Sequence, residues 1–186
     1  VNSHKSSPVQ IPGTTWNHIG RTLYANYSIK TDGTLWAIGS GNYGQLGQNN
    51  TANYSSPVQI GTDTTWAKLN GGHNHILATK TDGTLWTWGY NFHGALGLNQ
   101  AHPAYGNPGL IGKSSPTQIP GTTWDNIASS NYGACATKTD GTLWLWGVNA
   151  QGRLAQNNDW PGLNGASSPV QVPGTTWNTV TALNYV

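Results

Sequence analysis

The heptapeptide Lys-Thr-Asp-Gly-Thr-Leu-Trp stands intact three times in this chain, at Lys30–Trp36, Lys80–Trp86 and Lys138–Trp144. An intact internal repeat fixes architecture before any single residue does, because each copy must fold into the same small unit. Two further strings travel with it. Ser-Ser-Pro-x-Gln runs from Ser6, Ser55, Ser114 and Ser167, and Thr-Thr-Trp ends at Trp16, Trp66, Trp124 and Trp177. The Trp spacings are 50, 58 and 53, so the chain holds three full units and the start of a fourth.

Each unit reads as β-structure. Asp-Gly between two short runs is a strong hairpin signal, and a type I′ turn, with φ > 0 at both central residues, is expected at Asp32-Gly33, Asp82-Gly83 and Asp140-Gly141. A strand follows each turn, at Leu35–Ile38, Leu85–Trp88 and Leu143–Trp146, and Gly39, Gly89 or Gly147 closes it. Alternate side chains of a strand point to opposite faces, so Leu143 and Leu145 lie on one face and Trp144 and Trp146 on the other. Apolar groups on both faces require cover on both sides. Pro8-Val9-Gln10-Ile11 reads as another short strand and Trp16–Ile19 as one more. The segment before each Asp-Gly, such as His75–Lys80, completes four per unit. Small sheets covered on both faces and repeated about every 50 residues describe the blades of a β-propeller. The expected class is therefore all-β, with four-stranded antiparallel blades, three of them in this chain plus partial strands. Helical periodicity is absent, which excludes an α-solenoid; a sandwich of repeated hairpins is the alternative.

Composition narrows the function classes. Charged residues make up 8% of the chain, against about 25% in ordinary soluble domains. That balance suits an extracellular, cell-surface or virion setting. The net charge is +2 and the cations are scattered, so a nucleic-acid partner is not expected. A single cysteine, Cys135, rules out an internal disulfide. No apolar run approaches the ~20 residues of a membrane span. The chain opens with Val1 and shows no signal peptide, which reads as a mature piece or a fragment.

The motifs resemble the regulator of chromosome condensation repeat family. Unit two carries the resemblance best, through Gly72, His75, Ala78, Asp82-Gly83, Leu85, Trp86, Trp88-Gly89, Asn91, Gly94, Leu96 and Gly97. Unit one adds Gly39 and Gly44-Gln45-Leu46-Gly47, and unit three adds Trp146-Gly147, Asn149 and Gly152-Arg153-Leu154-Ala155. The resemblance implies seven-bladed propellers. It also implies a strand order of inner strand, Asp-Gly turn, Trp strand, Pro-Val-Gln strand and Thr-Thr-Trp strand. On that order residues 1–22 are outer strands of an incomplete blade, 23–70 form blade 1, 71–128 form blade 2 with an insertion at 99–113, 129–181 form blade 3, and 182–186 begin a further inner strand. Three blades do not close a ring of seven. Either the chain belongs to a longer propeller or copies of it associate through open blade edges; the first is favoured, since open edges are normally managed within a chain.

The repeat positions Asp32, Gly33, Trp36, His75, Asp82, Gly83, Trp86, Asp140, Gly141 and Trp144 are read as structural. His73 and His75, two apart on one expected strand, could face one ligand, but a metal site needs three or four converging ligands, so none is assigned. Cys135 aligns with Tyr27 and Leu77, apolar inner-strand positions, and reads as a packed core thiol. Gly39, Gly41 and Gly44 have dinucleotide spacing without the following helix, so no cofactor is expected. No catalytic constellation is present, and no catalytic residue is assigned.

Specificity is expected where the units differ. The unit-two insertion contains His102 and Tyr105; the matching stretch of unit three contains Trp160, the one Trp outside the repeat, and Asn164. These four are the candidate binding residues, with loop aromatics as anchors. The expected function is a non-catalytic protein-binding or structural module on a virion or bacterial surface. The alternatives are a lectin-like module stacking Trp160 and Tyr105 on glycans, and an enzyme-inhibiting propeller. Nucleotide exchange on a small GTPase, the family's eukaryotic role, finds no matching surface in these residues.

Overall fold

A computed structural model describes residues 7–100, 112–156 and 165–181. Among these residues, twelve strands form three separate four-stranded antiparallel sheets. The first comprises β1 (Trp16–Arg21), β2 (Ala25–Lys30), β3 (Leu35–Gly39) and β4 (Tyr54–Gln59). The second comprises β5 (Trp66–Gly71), β6 (His75–Lys80), β7 (Leu85–Tyr90) and β8 (Gly112–Ile119). The third comprises β9 (Trp124–Ser129), β10 (Gly133–Lys138), β11 (Leu143–Val148) and β12 (Gly165–Val172). Each sheet is a simple meander in which chain neighbours pair. No described helix is long and apolar enough to cross a membrane.

The expected blades are present, but their phase is different. The Thr-Thr-Trp strand opens a sheet rather than closing one: Trp16 stands opposite Lys30, Trp66 opposite Lys80 and Trp124 opposite Lys138. The sheets therefore run over 16–59, 66–119 and 124–172, and the expected boundaries at 23, 71 and 129 each cut off a first strand. The Ser-Ser-Pro-x-Gln strands pair with the preceding Asp-Gly strand, as Trp36–Gln59, Trp86–Gln118 and Trp144–Gln171 show. Pro8–Ile11 has no such strand before it in this chain, and it forms none.

The Asp-Gly turn also differs from the two-residue form. Gly33 N–H donates to the Lys30 carbonyl at 2.9 Å, and Lys30 N–H donates to the Thr34 carbonyl at 2.9 Å. Gly33 has φ +77, whereas Asp32 is not in the left-handed region. This is a three-residue loop, a turn followed by a left-handed glycine. The Asp side chain explains the choice. Asp32 Oδ1 accepts Thr34 N–H at 2.9 Å and the Thr34 hydroxyl at 2.6 Å, and Trp36 Nε1 donates to that hydroxyl at 2.9 Å. The chain Asp–Thr–Trp recurs at Asp82–Thr84–Trp86 and Asp140–Thr142–Trp144.

Core forms between sheets, not within one. On β6, Ile76 and Ala78 pack with Tyr27, Ile29 and Leu35 of the first blade, while Leu77 packs with Trp124, Ala136 and Trp146 of the third. Both faces of blade 2 are thus covered, as the doubly apolar strands require. Trp88 and Trp146 are fully buried in these two seams. Main-chain bonds cross them too: Trp66 N–H donates to the Gly33 carbonyl at 3.2 Å, and Trp124 N–H to that of Gly83 at 3.0 Å.

Candidate binding surface

The meander gives each blade two ends. One carries the Asp-Gly turns and the connections into each Thr-Thr-Trp strand. The other carries the short turns between first and second strands and the long loops between third and fourth. We call these the turn end and the loop end.

The turn end is the same in all three blades. Lys30 Nζ lies 4.8 Å from the Trp16 ring and 4.0 Å from the Trp36 ring, Lys80 repeats those distances on Trp66 and Trp86, and Lys138 lies 4.6 and 4.7 Å from Trp124 and Trp144. The cation sits against two ring faces and covers them. Hydrogen bonds from Thr34, Thr84 and Thr142 hold the Asp32, Asp82 and Asp140 carboxyls below the usual range.

At the loop end the blades differ, and their differing side chains meet. Tyr43 packs on Tyr90 with ring centroids 4.8 Å apart, Tyr90 stacks on Phe92 at 5.5 Å, and Phe92 meets Tyr132 edge-on at 5.3 Å. Tyr132 continues to His73 at 5.8 Å, and His73 to Tyr24 at 6.3 Å. Six rings thus form an arc that starts on blade 1, crosses blade 2, touches blade 3 and returns. Tyr24, Tyr43 and Tyr132 expose 57%, 42% and 37% of their surface. None of the six positions is aromatic in all three blades: the blade 1 counterparts of Tyr90 and Phe92 are Ser40 and Asn42, and Tyr24 and Tyr132, which hold the same position in blades 1 and 3, have Asn74 as their blade 2 counterpart.

The loops under the arc are braced. Trp88 Nε1 donates to the Gln45 carbonyl at 2.7 Å, as does the Tyr27 hydroxyl at 2.8 Å; Trp146 Nε1 donates to the Ala95 carbonyl at 2.9 Å. Each seam Trp thereby ties down the loop of the blade before it. Asn91 Oδ1 accepts Leu96 N–H at 3.0 Å, and Asn149 Oδ1 accepts Leu154 N–H at 2.9 Å. Asn49 N–H and Asn99 N–H reach across to Ser114 and Ser167 of the following blade. Loops held this way lose little further entropy when a ligand binds.

The two histidines part company. His75 is buried opposite Gly89, and burial pulls its pKa down to about 4, with His73 adding to the fall. His73 lies outside β6, within the arc. They do not converge on a ligand, and no group of three metal-ligating side chains exists among the described residues. Cys135 is buried, and desolvation pushes its thiol up to about 11, the opposite of an activated nucleophile. His102, Tyr105, Trp160 and Asn164 lie outside the described residues. Their two segments leave and rejoin the sheets at the loop end, since Gly112 pairs with Tyr90 and Gly165 with Val148. Reading insertions alone missed the arc; its signal is aromatic residues at aligned positions where at least one sister unit is not aromatic.

A second concavity, a groove of about 680 Å³, runs along the outer face of blade 1 and is lined by Ile11, Trp16, Ile19, Tyr27 and Ile38 among others. It is the face that the preceding blade covers in blades 2 and 3. Ile19 is 78% exposed, whereas its counterpart Leu69 is 4% exposed.

A family profile described as the Regulator of chromosome condensation (RCC1) repeat matches residues 32–79 and 82–136, and a second profile of the same description matches 66–95. Among solved structures, yeast RCC1 (Prp20) bound to Kap60 superposes with a TM-score of 0.74 at 18% identity, over 96% of this chain and 42% of that one. Prp20p from Saccharomyces cerevisiae, described with its binding to Gsp1p and histones, gives 0.71 at 17% identity, over 87% of this chain and 39% of that one. At that identity the likeness establishes the propeller fold, and the chain spans about two-fifths of those proteins. No curated protein matches the sequence.

Proposed function

The chain belongs to the regulator of chromosome condensation (RCC1) repeat family, and on that footing we propose that it is a non-catalytic protein-binding module whose docking surface is the loop end. One observation carries the reading: six aromatic rings, at positions that are not aromatic in every blade, converge into a single partly exposed arc on braced loops. Core packing does not account for them, because the blade cores are built from the repeated positions. Tyr, Phe and His rings supply rigid contact area at low entropic cost, and the Ser, Asn and Gly residues beside them supply adaptable hydrogen bonds, a mix suited to protein recognition. Relatives of this fold point the same way, since the matched yeast proteins are described with protein partners.

The absence of catalysis belongs to the proposal, supported by a cysteine and a histidine that are both buried and shifted away from reactive pKa values. So does placement on a virion or cell surface, supported by the low charge content. The test is capture of partners from the native source by the wild-type chain and by a Tyr24→Ala, Phe92→Ala, Tyr132→Ala triple variant. Loss of the captured protein with the triple variant, and retention with an Ile19→Ser variant in the groove, is the expected result. Equal capture by the triple variant overturns the assignment of this surface. Loss only with Ile19→Ser moves docking to the blade 1 groove, where a second copy of the chain is the alternative occupant.

A further inference from the structure

One departure from the repeat breaks the symmetry of the turn end. The connection into β5 is Gly61-Thr62-Asp63-Thr64-Thr65, one residue longer than Pro12-Gly13-Thr14-Thr15 before β1 and Pro120-Gly121-Thr122-Thr123 before β9. The longer connection brings in a carboxylate. Lys80 Nζ donates to Asp63 Oδ2 at 2.8 Å, and the Lys80 side chain is left 10% exposed. Lys30 and Lys138 have no counterpart of Asp63, and among the described residues neither makes an ion pair or a hydrogen bond. The turn aspartates do not take its place. Asp32 and Asp140 are engaged by Thr34 and Thr142, whose bonds hold these carboxyls down more than the lysines do. In blade 2 Asp82 is engaged by Thr84 in the same way, and Lys80 still pairs with Asp63.

The cation is in place with or without a carboxylate to meet it. Lys30 Nζ lies 4.8 and 4.0 Å from its two Trp rings, as Lys80 Nζ does. Fixing a lysine side chain costs conformational entropy, and here the rings have already fixed it. In blade 3 the space beside the cation is bounded by a second donor. A Cβ on Gly121 would lie 3.7 Å from Lys138 Nζ and 3.6 Å from Trp124 Nε1, so glycine leaves open a space that both donors border. In blade 1 a Cβ on Gly13 would lie 3.2 Å from Trp16 Nε1. Trp16 Nε1, Trp66 Nε1 and Trp124 Nε1 are buried donors with no acceptor among the described residues. A buried N–H without an acceptor costs free energy that an incoming oxygen restores. We propose that the turn ends of blades 1 and 3 each bind one carboxylate group of another molecule, seated on Lys30 beside Trp16 and on Lys138 beside Trp124. Asp63 identifies the chemistry, because blade 2 fills its own copy of the site with a carboxylate. A single carboxylate suits the site better than a phosphate dianion: each site offers one cation, and the turn aspartate nearby repels further negative charge. Its two oxygens let one group face the ammonium and the indole N–H together, which Asp63 does not do, since Trp66 Nε1 keeps no acceptor. These sites lie at the opposite end from the aromatic arc and do not depend on it.

The experiment follows the indole N–H resonances of the whole chain while sodium acetate replaces sodium chloride at constant ionic strength and neutral pH. The Trp16 and Trp124 resonances are expected to move, with half-saturation on the order of 0.1 M because a single partly exposed ion pair is weak, while Trp66 stays still. Acetamide, the neutral isostere, should move none of them. Lys138→Gln should weaken the Trp124 response about tenfold and leave that of Trp16 unchanged. Asp63→Ala leaves all three Lys–Trp–Trp sandwiches intact and should make Trp66 respond like the other two, so the inference stays testable if Lys138→Gln disturbs folding. A blocked Gly-Asp-Gly tripeptide separates the two sources of a carboxylate. Response to the tripeptide as well as to acetate assigns the sites to an acidic side chain of a partner protein, and response to acetate alone assigns them to a small free acid. Unmoved Trp16 and Trp124 resonances, an equal response to acetamide, or a silent Trp66 in Asp63→Ala overturns the inference, whatever capture at the loop end shows.

Discussion

The turn end and the loop end of this molecule are made by the same strands, yet one is written three times and the other is different in each blade. At the turn end the Lys–Trp–Trp sandwich and the Asp–Thr–Trp chain repeat with near-identical distances. At the loop end the equivalent of Tyr24 is Asn74 and the equivalent of Phe92 is Ala150. The difference follows from which end sets the seam. A blade can stack on its neighbour only if the turn that receives the next Thr-Thr-Trp segment keeps its shape, so substitutions there are felt in two blades at once. The loop end is braced on the next blade through backbone carbonyls such as those of Gln45 and Ala95, which any side chain provides. Its outer side chains are free to differ.

The largest effect that would test this division is at a seam. Trp88→Ala removes a fully buried ring and the bond to Gln45, and should cost about 3–5 kcal/mol in chemical denaturation. Next come the turn glycines, which should not be equivalent. A Cβ on Gly33 would lie 2.0 Å from the Thr64 carbonyl oxygen and one on Gly141 2.1 Å from that of Thr175, but one on Gly83 meets nothing nearer than 3.0 Å. All three have positive φ. Gly33→Ala is expected to cost about 2–3 kcal/mol and Gly83→Ala about 1–2 kcal/mol, with Gly61→Ala, open on all sides, near 1 kcal/mol by the same melts.

Acid separates the two ends. His75, under the loops, is neutral when folded and titrates near 4, whereas an unfolded histidine titrates at about 6.5. The unfolded chain therefore binds the extra proton first, so this contribution is full above about pH 6.5 and is lost as pH falls toward 4. Its size is on the order of 3 kcal/mol, and His75→Leu should flatten stability measured across that window. The turn aspartates act lower. Their carboxyls are depressed in the folded state, so their share is present above the ordinary carboxylate pKa and disappears only as pH drops below about 4. The smallest effect is on the arc itself: Tyr132→Ser should change stability by about 0.5 kcal/mol or less while it weakens partner capture. A stability loss like that of Trp88 would make the arc core after all.

Sequence reasoning reaches the propeller because Asp32, Thr34 and Trp36 carry their interactions within five consecutive residues, and three copies expose the pattern. It misses the phase of the blades, because Trp16 reads equally well as the last strand of one sheet or the first of the next; only its register against Lys30 decides. The turn type is missed for a similar reason: Asp-Gly suits both hairpin forms, and the Thr34 hydroxyl that selects one lies two residues on. The arc is invisible as a run of residues, because Tyr24, Tyr43, Tyr90 and Tyr132 come together only through seams between blades.

The bond from Trp177 N–H to the Gly141 carbonyl, 3.0 Å, has the form of the two seam bonds before it. Yet Trp177 belongs to no strand among the described residues. Blade 3 thus holds Trp177 by the same main-chain bond with which blade 1 holds Trp66 and blade 2 holds Trp124. For a chain made from its N-terminus onward, this makes assembly directional. Each completed blade is a template that hands the growing polypeptide its register, and a module that stalls stays tethered where its successor strands will need it.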